Sequence, residues 1–139
     1  KITGNEGGGV SLSNSTSIME NGTISGNTSN NQGGGVLVNG GTFTMLDGTI
    51  SGNKAAYGGG IYVAAGTFKI SNGIVYGNGE DNNSNTATSN GAALFVSYNG
   101  TIAQYGNGDN WTDMPVTAVP NSNSNYRDAT IRVVDGVLQ

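Results

Sequence analysis

The chain has 139 residues, 25 of them glycine, with 5 basic and 9 acidic side chains and a net charge of −4. That is one domain's worth of protein, and its sparse acidic charge argues against a nucleic-acid partner, which needs a clustered cationic face. Cysteine and histidine are both absent, which removes disulfides, thiolate chemistry, the commonest general base and zinc ligand, and any Ser-His or Cys-His catalytic pair.

In chain order, Ile2-Thr3-Gly4-Asn5 reads as the tail of a repeat whose front half is missing, so residues 1–6 are expected to close a truncated coil of a longer array. The repeat then recurs over 7–32 (GGGVSLSNSTSIMENGTISGNTSNNQ), 33–57 (GGGVLVNGGTFTMLDGTISGNKAAY) and 58–90 (GGGIYVAAGTFKISNGIVYGNGEDNNSNTATSN). From the first Gly of each triplet to the Asn of the Gly-Asn pair the spacing is constant: 27 − 7, 53 − 33 and 78 − 58 each give 20. A constant core followed by an elastic connector is the mark of a stacked repeat.

Within each repeat, aliphatics alternate at Val10 and Leu12, Val36 and Val38, Ile61 and Val63. Such alternation predicts a first strand with one face buried. A second strand is expected around Phe43 and Met45, Phe68 and Ile70, with Ser17 and Met19 as its weaker first copy, and a short third around Ile24, Ile50 and Val75. Asn21-Gly22, Asp47-Gly48 and Asn72-Gly73 turn the chain between the second and third strands. The connectors after the Gly-Asn pairs are expected to project from one edge, Gly79 to Asn90 being the longest excursion.

Past Asn90 the pattern loosens. Leu94 and Val96 repeat the first strand behind Gly91-Ala92-Ala93, Thr101 and Ile102 continue as the second, and 91–113 makes a fourth coil. Thr130 to Leu138 aligns with Thr42 to Ile50, so 114–139 is expected to run partway round a fifth coil and cap the stack. Val116 to Val119, bracketed by Pro115 and Pro120, reads as an edge strand of that cap.

Strands that recur every ~25 residues explain their own equivalence only if each pairs with its counterpart one repeat later, ~4.8 Å away. The expected fold is therefore all-β: a single-stranded parallel β-helix, or solenoid, of about four to five coils, with a triangular cross-section. No stretch of 3.6-residue apolar period argues for a helix.

Three sets of residues are candidates for function. The Asn column, Asn5, Asn27, Asn53 and Asn78, reads as a structural ladder of side-chain amides or as a site for sugar hydroxyls. The Gly triplets read as tight turns; as phosphate cradles they lack the Lys-Ser/Thr and the following helix of a P-loop. If the alternating aliphatics point inward, Ser11, Leu37, Tyr62 and Phe95 point outward. The column Leu37, Tyr62, Phe95 is then either covered by a connector or the C-terminal tail, or a contact stripe for a partner chain or glycan.

Glu80, Asp81, Asp109 and Asp113 lie in connectors and could hold calcium with loop carbonyls, but the Gly-Gly-x-Gly-x-Asp nonapeptide is absent and no cofactor is expected. No catalytic constellation can be assembled from the aligned columns, so no enzyme is expected.

The succession Ile24 to Asn27 or Ile50 to Asn53, a short connector, then Gly-Gly-Gly-Val or Gly-Gly-Gly-Ile resembles the paired FxxN and GGA[ILV] repeats of polymorphic outer-membrane proteins. The resemblance covers residues 2–96, with Ile or Val in place of Phe and a third Gly in place of Ala. It implies a right-handed parallel β-helix, exported to the bacterial cell surface, outer membrane or medium, adhesin-like or stalk-like, with a protein or glycan partner and no catalytic residues. The alternative is a fragment of a polysaccharide-processing, lyase-like β-helix. An open N-terminal coil is also expected to let the chain self-associate.

Overall fold

The computed structural model describes residues 1–97 and 102–139; Thr101 of the expected second strand lies outside them. Among the described residues the chain is all-β apart from a single 3-10 turn at Asp81–Asn83. Its organising element is a ten-residue strand that occurs three times, Val10–Met19, Val36–Met45 and Ile61–Ile70. The three copies pair in parallel, with Val10 beside Val36 beside Ile61 and Met19 beside Met45 beside Ile70.

Each long strand merges what the alternation divides into a first and a second strand. The inward residues explain why. Val38 and Phe43 both point into the core but lie five residues apart, an odd step that a regular period of two cannot give. The parity is reset at a corner, where Asn14, Gly40 with Gly41, and Gly66 take positive φ (49°, 96°, 84° and 93°). The backbone bends there and the register shifts by one residue between the second and third copies.

Thr23–Ser25, Thr49–Ser51 and Gly73–Val75 form the short third strands, again parallel, and Ile2–Thr3 extends this row beside Ile24 and Ser25. The connectors do not project freely. Lys54–Tyr57 pairs in parallel with Thr86–Asn90, and Thr28 and Gln32 bridge to Lys54 and Tyr57. Backbone groups in a connector need partners like any others, and the neighbouring connector supplies them.

The core lies between these rows as stacked columns. Val10, Val36, Ile61 and Leu94 make one; Leu12, Val38, Val63 and Val96 a second; Met19, Met45, Ile70 and Tyr105 a third. Phe43 and Phe68 lie face to face inside, ring centroids 6.0 Å apart and planes 18° from parallel. Ile24, Ile50 and Val75 close the third side.

The C-terminal third departs from the expected fifth coil. Leu94–Val96 and Ile102–Asn107 still stack in parallel on Ile61–Ile70, but every later strand runs antiparallel to its neighbour. Asn110–Asp113 folds back on Gln104 to Asn107, and Asn125–Arg127 lies along Leu94–Val96. Thr117–Ala118 is an edge strand beside Asn125 and Tyr126. Ile131–Val134 pairs antiparallel with Gly73–Val75, so Thr130 to Leu138 occupies the place of a third strand rather than a second. Alternation buries Ile131 and Val133 whichever way the strand runs, and a short local match cannot reveal direction. The sheets are therefore mixed, parallel through the repeats and antiparallel at the C-terminal end.

Candidate functional site

The Asn column is built at the turn after the third strand, where the chain reverses and its backbone N–H groups need acceptors. Asn27 donates from both its backbone N and its Nδ2 to Asn53 Oδ1, each at 3.0 Å. Asn53 donates in the same way to Asn85 Oδ1 at 2.9 and 3.0 Å, and Asn5 to Asn27 Oδ1 at 3.0 and 2.9 Å. The second amide protons go to carbonyls: Asn27 to Ile2, Asn53 to Ile24, Asn85 to Ile50 and Tyr76. Asn27, Asn53 and Asn85 are buried and their amide donors are committed within the protein, which leaves no donor for sugar hydroxyls.

Asn78 is not a rung. It is exposed, and its backbone N–H donates to Asp128 O. The excursion through the 3-10 turn at Asp81–Asn83 delays the return to the column until Asn85. Counting forward from the triplet misses this, but counting onward to the next triplet does not: 33 − 27, 58 − 53 and 91 − 85 give 6, 5 and 6.

The Gly triplets hold the layers together. Gly34 N–H donates to Gly58 O and Gly59 N–H to Gly91 O, so these amides serve neighbouring repeats rather than an anion. A Cβ on Gly59 would stand 2.5 Å from Thr86 O and one on Gly60 2.7 Å from Ala93 O. In the fourth layer these two positions are Ala92 and Ala93, where the next element is the antiparallel Arg127 strand and not another parallel repeat.

Leu37, Tyr62 and Phe95 do form one column, in register across adjacent strands. Tyr62 and Phe95 stack at 5.1 Å with planes 9° apart, and Tyr57 meets Phe95 edge-on at 5.2 Å. As a free stripe, however, the column is corrected. Tyr62 and Phe95 are only 7% and 6% exposed, because Tyr57 from the connector and the cap close over them; Leu37 is half-buried. Beside the cluster runs a groove of about 300 Å³, lined by Tyr57, Asn31, Gln32 and Asn90 on one wall and Val119, Ser122 and Ser124 on the other. No lining residue is charged.

The carboxylates considered for calcium do not converge. Glu80 Oε1 accepts from Thr130 Oγ1 at 3.0 Å and Asp113 Oδ1 from Gln104 Nε2 at 3.0 Å. Among the described residues no three carboxylates gather in one place.

Two residues that sequence reasoning passed over fasten the cap. Asp128 Oδ1 accepts from the N–H groups of Gly91 and Ala92 at 3.0 and 2.9 Å, tying the cap to the fourth layer. The Arg127 guanidinium donates to Pro115 O and Thr130 O at 3.2 and 3.3 Å, and its burial pushes the pKa below the usual arginine value. An Arg at the end of a three-residue strand and the Asp just after it carry no periodic signal. Lys69 Nζ sits 4.7 Å from the Trp111 ring centre, joining the hairpin to the third repeat.

Comparison with protein-family models, with curated proteins and with solved structures found no match to this chain.

Proposed function

We propose that this chain is a module of a right-handed parallel β-helix, about four to five coils with a C-terminal cap, serving a bacterial surface or secreted protein as a non-enzymatic, adhesin-like or stalk-like element of the polymorphic outer-membrane-protein kind. The observation that carries the reading is the in-register stacking of three equivalent repeats with an internal amide ladder, a rod built layer on layer. Solenoids of this construction hold binding surfaces on a rigid frame.

The groove beside Tyr57 is the face best suited to a partner. It combines an aromatic ring with amides and hydroxyls and has no charge, a lining that suits uncharged hydroxyl-rich ligands such as neutral glycans. The test is retention of the labelled chain on immobilised neutral and acidic glycans and on host-cell surfaces, with Tyr57→Ala in parallel. Retention that falls at least about tenfold in the variant, a loss of about 1.4 kcal/mol, supports the groove. The same polysaccharides, incubated with calcium and followed for chain shortening, test the enzymatic alternative; cleavage would overturn the non-enzymatic reading.

A further inference from the structure

The connectors of three successive layers carry a further column. Gln32 pairs with Tyr57 and Tyr57 with Asn90, each in parallel register, so these positions repeat once per layer, ~4.8 Å apart. All three line the groove of about 300 Å³, which therefore runs along the stack and across its strands. Among the described residues, the side-chain amides of Gln32 and Asn90 and the Tyr57 hydroxyl take no hydrogen-bond partner, whereas the amides of the ladder are committed.

The opposite wall of the groove is already built. Val119 N–H donates to Ser124 O at 2.9 Å, Ser122 N–H to Val119 O at 3.2 Å, and Ser124 N–H to Ser122 Oγ at 3.0 Å. These bonds close the cap segment into a turn of its own. Phe95 meets Tyr57 edge-on and steadies its ring. Groups ordered before a ligand arrives cost little to order on binding.

The spacing of the column selects its occupant. An extended peptide advances ~3.3 Å per residue and returns a side chain to one face every second residue, out of step with layers ~4.8 Å apart. A β-1,4 linkage leaves a pyranose across its long dimension, so successive rings follow in a straight line at nearly the layer spacing. An α-1,4 linkage curves the chain away from any straight column. The lining has no charge to offset a uronic acid or a sulfate, and the net charge of −4 disfavours both. Each free amide offers donors and an acceptor, the match for ring hydroxyls that do both.

We infer that the groove binds a straight, uncharged β-1,4-linked glycan along the stack, one ring against Tyr57 and the rings on either side held by Gln32 and Asn90. This rests on the groove being the partner face proposed above, and adds the linkage, the direction and the number of rings read.

The test is calorimetric titration of the 139-residue chain with soluble β-1,4-linked oligomers of glucose, mannose and N-acetylglucosamine, from two rings to six. In a series that binds, affinity should rise at least about tenfold from two rings to three and change less than about twofold beyond three. Gln32→Ala and Asn90→Ala should each bind three rings no better than two. Their circular dichroism should match the parent, since neither side chain bonds within the fold. Tyr57→Ala should weaken every length. Affinity that keeps climbing past three rings, equal binding of α-1,4-linked glucose oligomers, or variants that retain the step from two rings to three would each overturn the inference. Retention on immobilised neutral glycans that Tyr57→Ala removes, without binding of any β-1,4 oligomer, would overturn it and leave the groove reading standing. No retention at all would overturn both.

Discussion

Asn53 lies in the middle of the amide ladder, with its Oδ1 accepting both donors of Asn27. Asn53→Ala removes that acceptor and strands two buried N–H groups, each costing about 1–3 kcal/mol. The expected loss is about 2–5 kcal/mol, read as a lower urea midpoint with an unchanged slope. Asn85→Ala should cost a similar amount, whereas Asn78→Ala should stay within about 0.5 kcal/mol of the parent. Equal losses at 78 and 85 would contradict the fourth rung. Val36→Asp would bury a carboxylate beside Val10 and Ile61, where nothing can pair with it, and should abolish folding outright. Three rungs and the inward aliphatics of the three repeats were legible because each is fixed by periodicity and burial together; in the fourth layer Ile102, expected at the inward position, is 40% exposed and Ala103 lies beside Phe68 instead. Asn85 was not legible, because a connector's length leaves no periodic trace; only its distance to the next triplet marks it.

Among elements, the triplets and connectors decide how layers meet. Gly59→Ala forces a Cβ onto Thr86 O and should destabilise by about 1–3 kcal/mol, while Ala92→Gly should cost only about 0.5–1 kcal/mol of backbone entropy. Thermal melts of the pair separate a packing role from simple turn flexibility. The connector 79–90 likewise divides in two. Excising Glu80 to Asn83 removes the 3-10 turn and should cost little, since loop length is cheap. Extending the excision to Thr88 deletes Asn85 and three of the five residues of the strand paired with Lys54–Tyr57, and cooperative unfolding should be lost. Lys54–Tyr57 and Thr86–Asn90 show no apolar alternation, which is why the sequence reads them as loops. Pairing between neighbouring layers makes them strands, an instance of context overriding local preference.

At the scale of the whole molecule, the stack is closed at its C-terminal end. Its closure depends on Asp128 and Arg127 and on Ile131 and Val133, which cover the core column that ends at Val75. Removing 114–139 would bare Leu94–Val96 and Gly73–Val75 as parallel edges over apolar columns. Light scattering of that truncation should show aggregates in place of a defined species. The stacked repeats were readable from a spacing of 20 residues, but the reversal of direction in the cap was not, because an alternating strand has the same pattern read either way.

The ladder and the interlayer backbone bonds run along the stack, from each repeat to the next. Under tension applied through the chain termini, such bonds are loaded one layer at a time, like teeth of a zipper, rather than all at once in shear. Layers should therefore peel off in succession, each releasing one repeat of chain. With repeats starting at Gly7, Gly33 and Gly58, the released lengths are 33 − 7 = 26 and 58 − 33 = 25 residues. At about 3.4 Å per residue, each step lengthens the chain by roughly 85–90 Å. A force trace should accordingly be a sawtooth of near-equal teeth, with the capped layers yielding apart from the rest. A stack of this kind would absorb a sudden pull by releasing slack in measured increments.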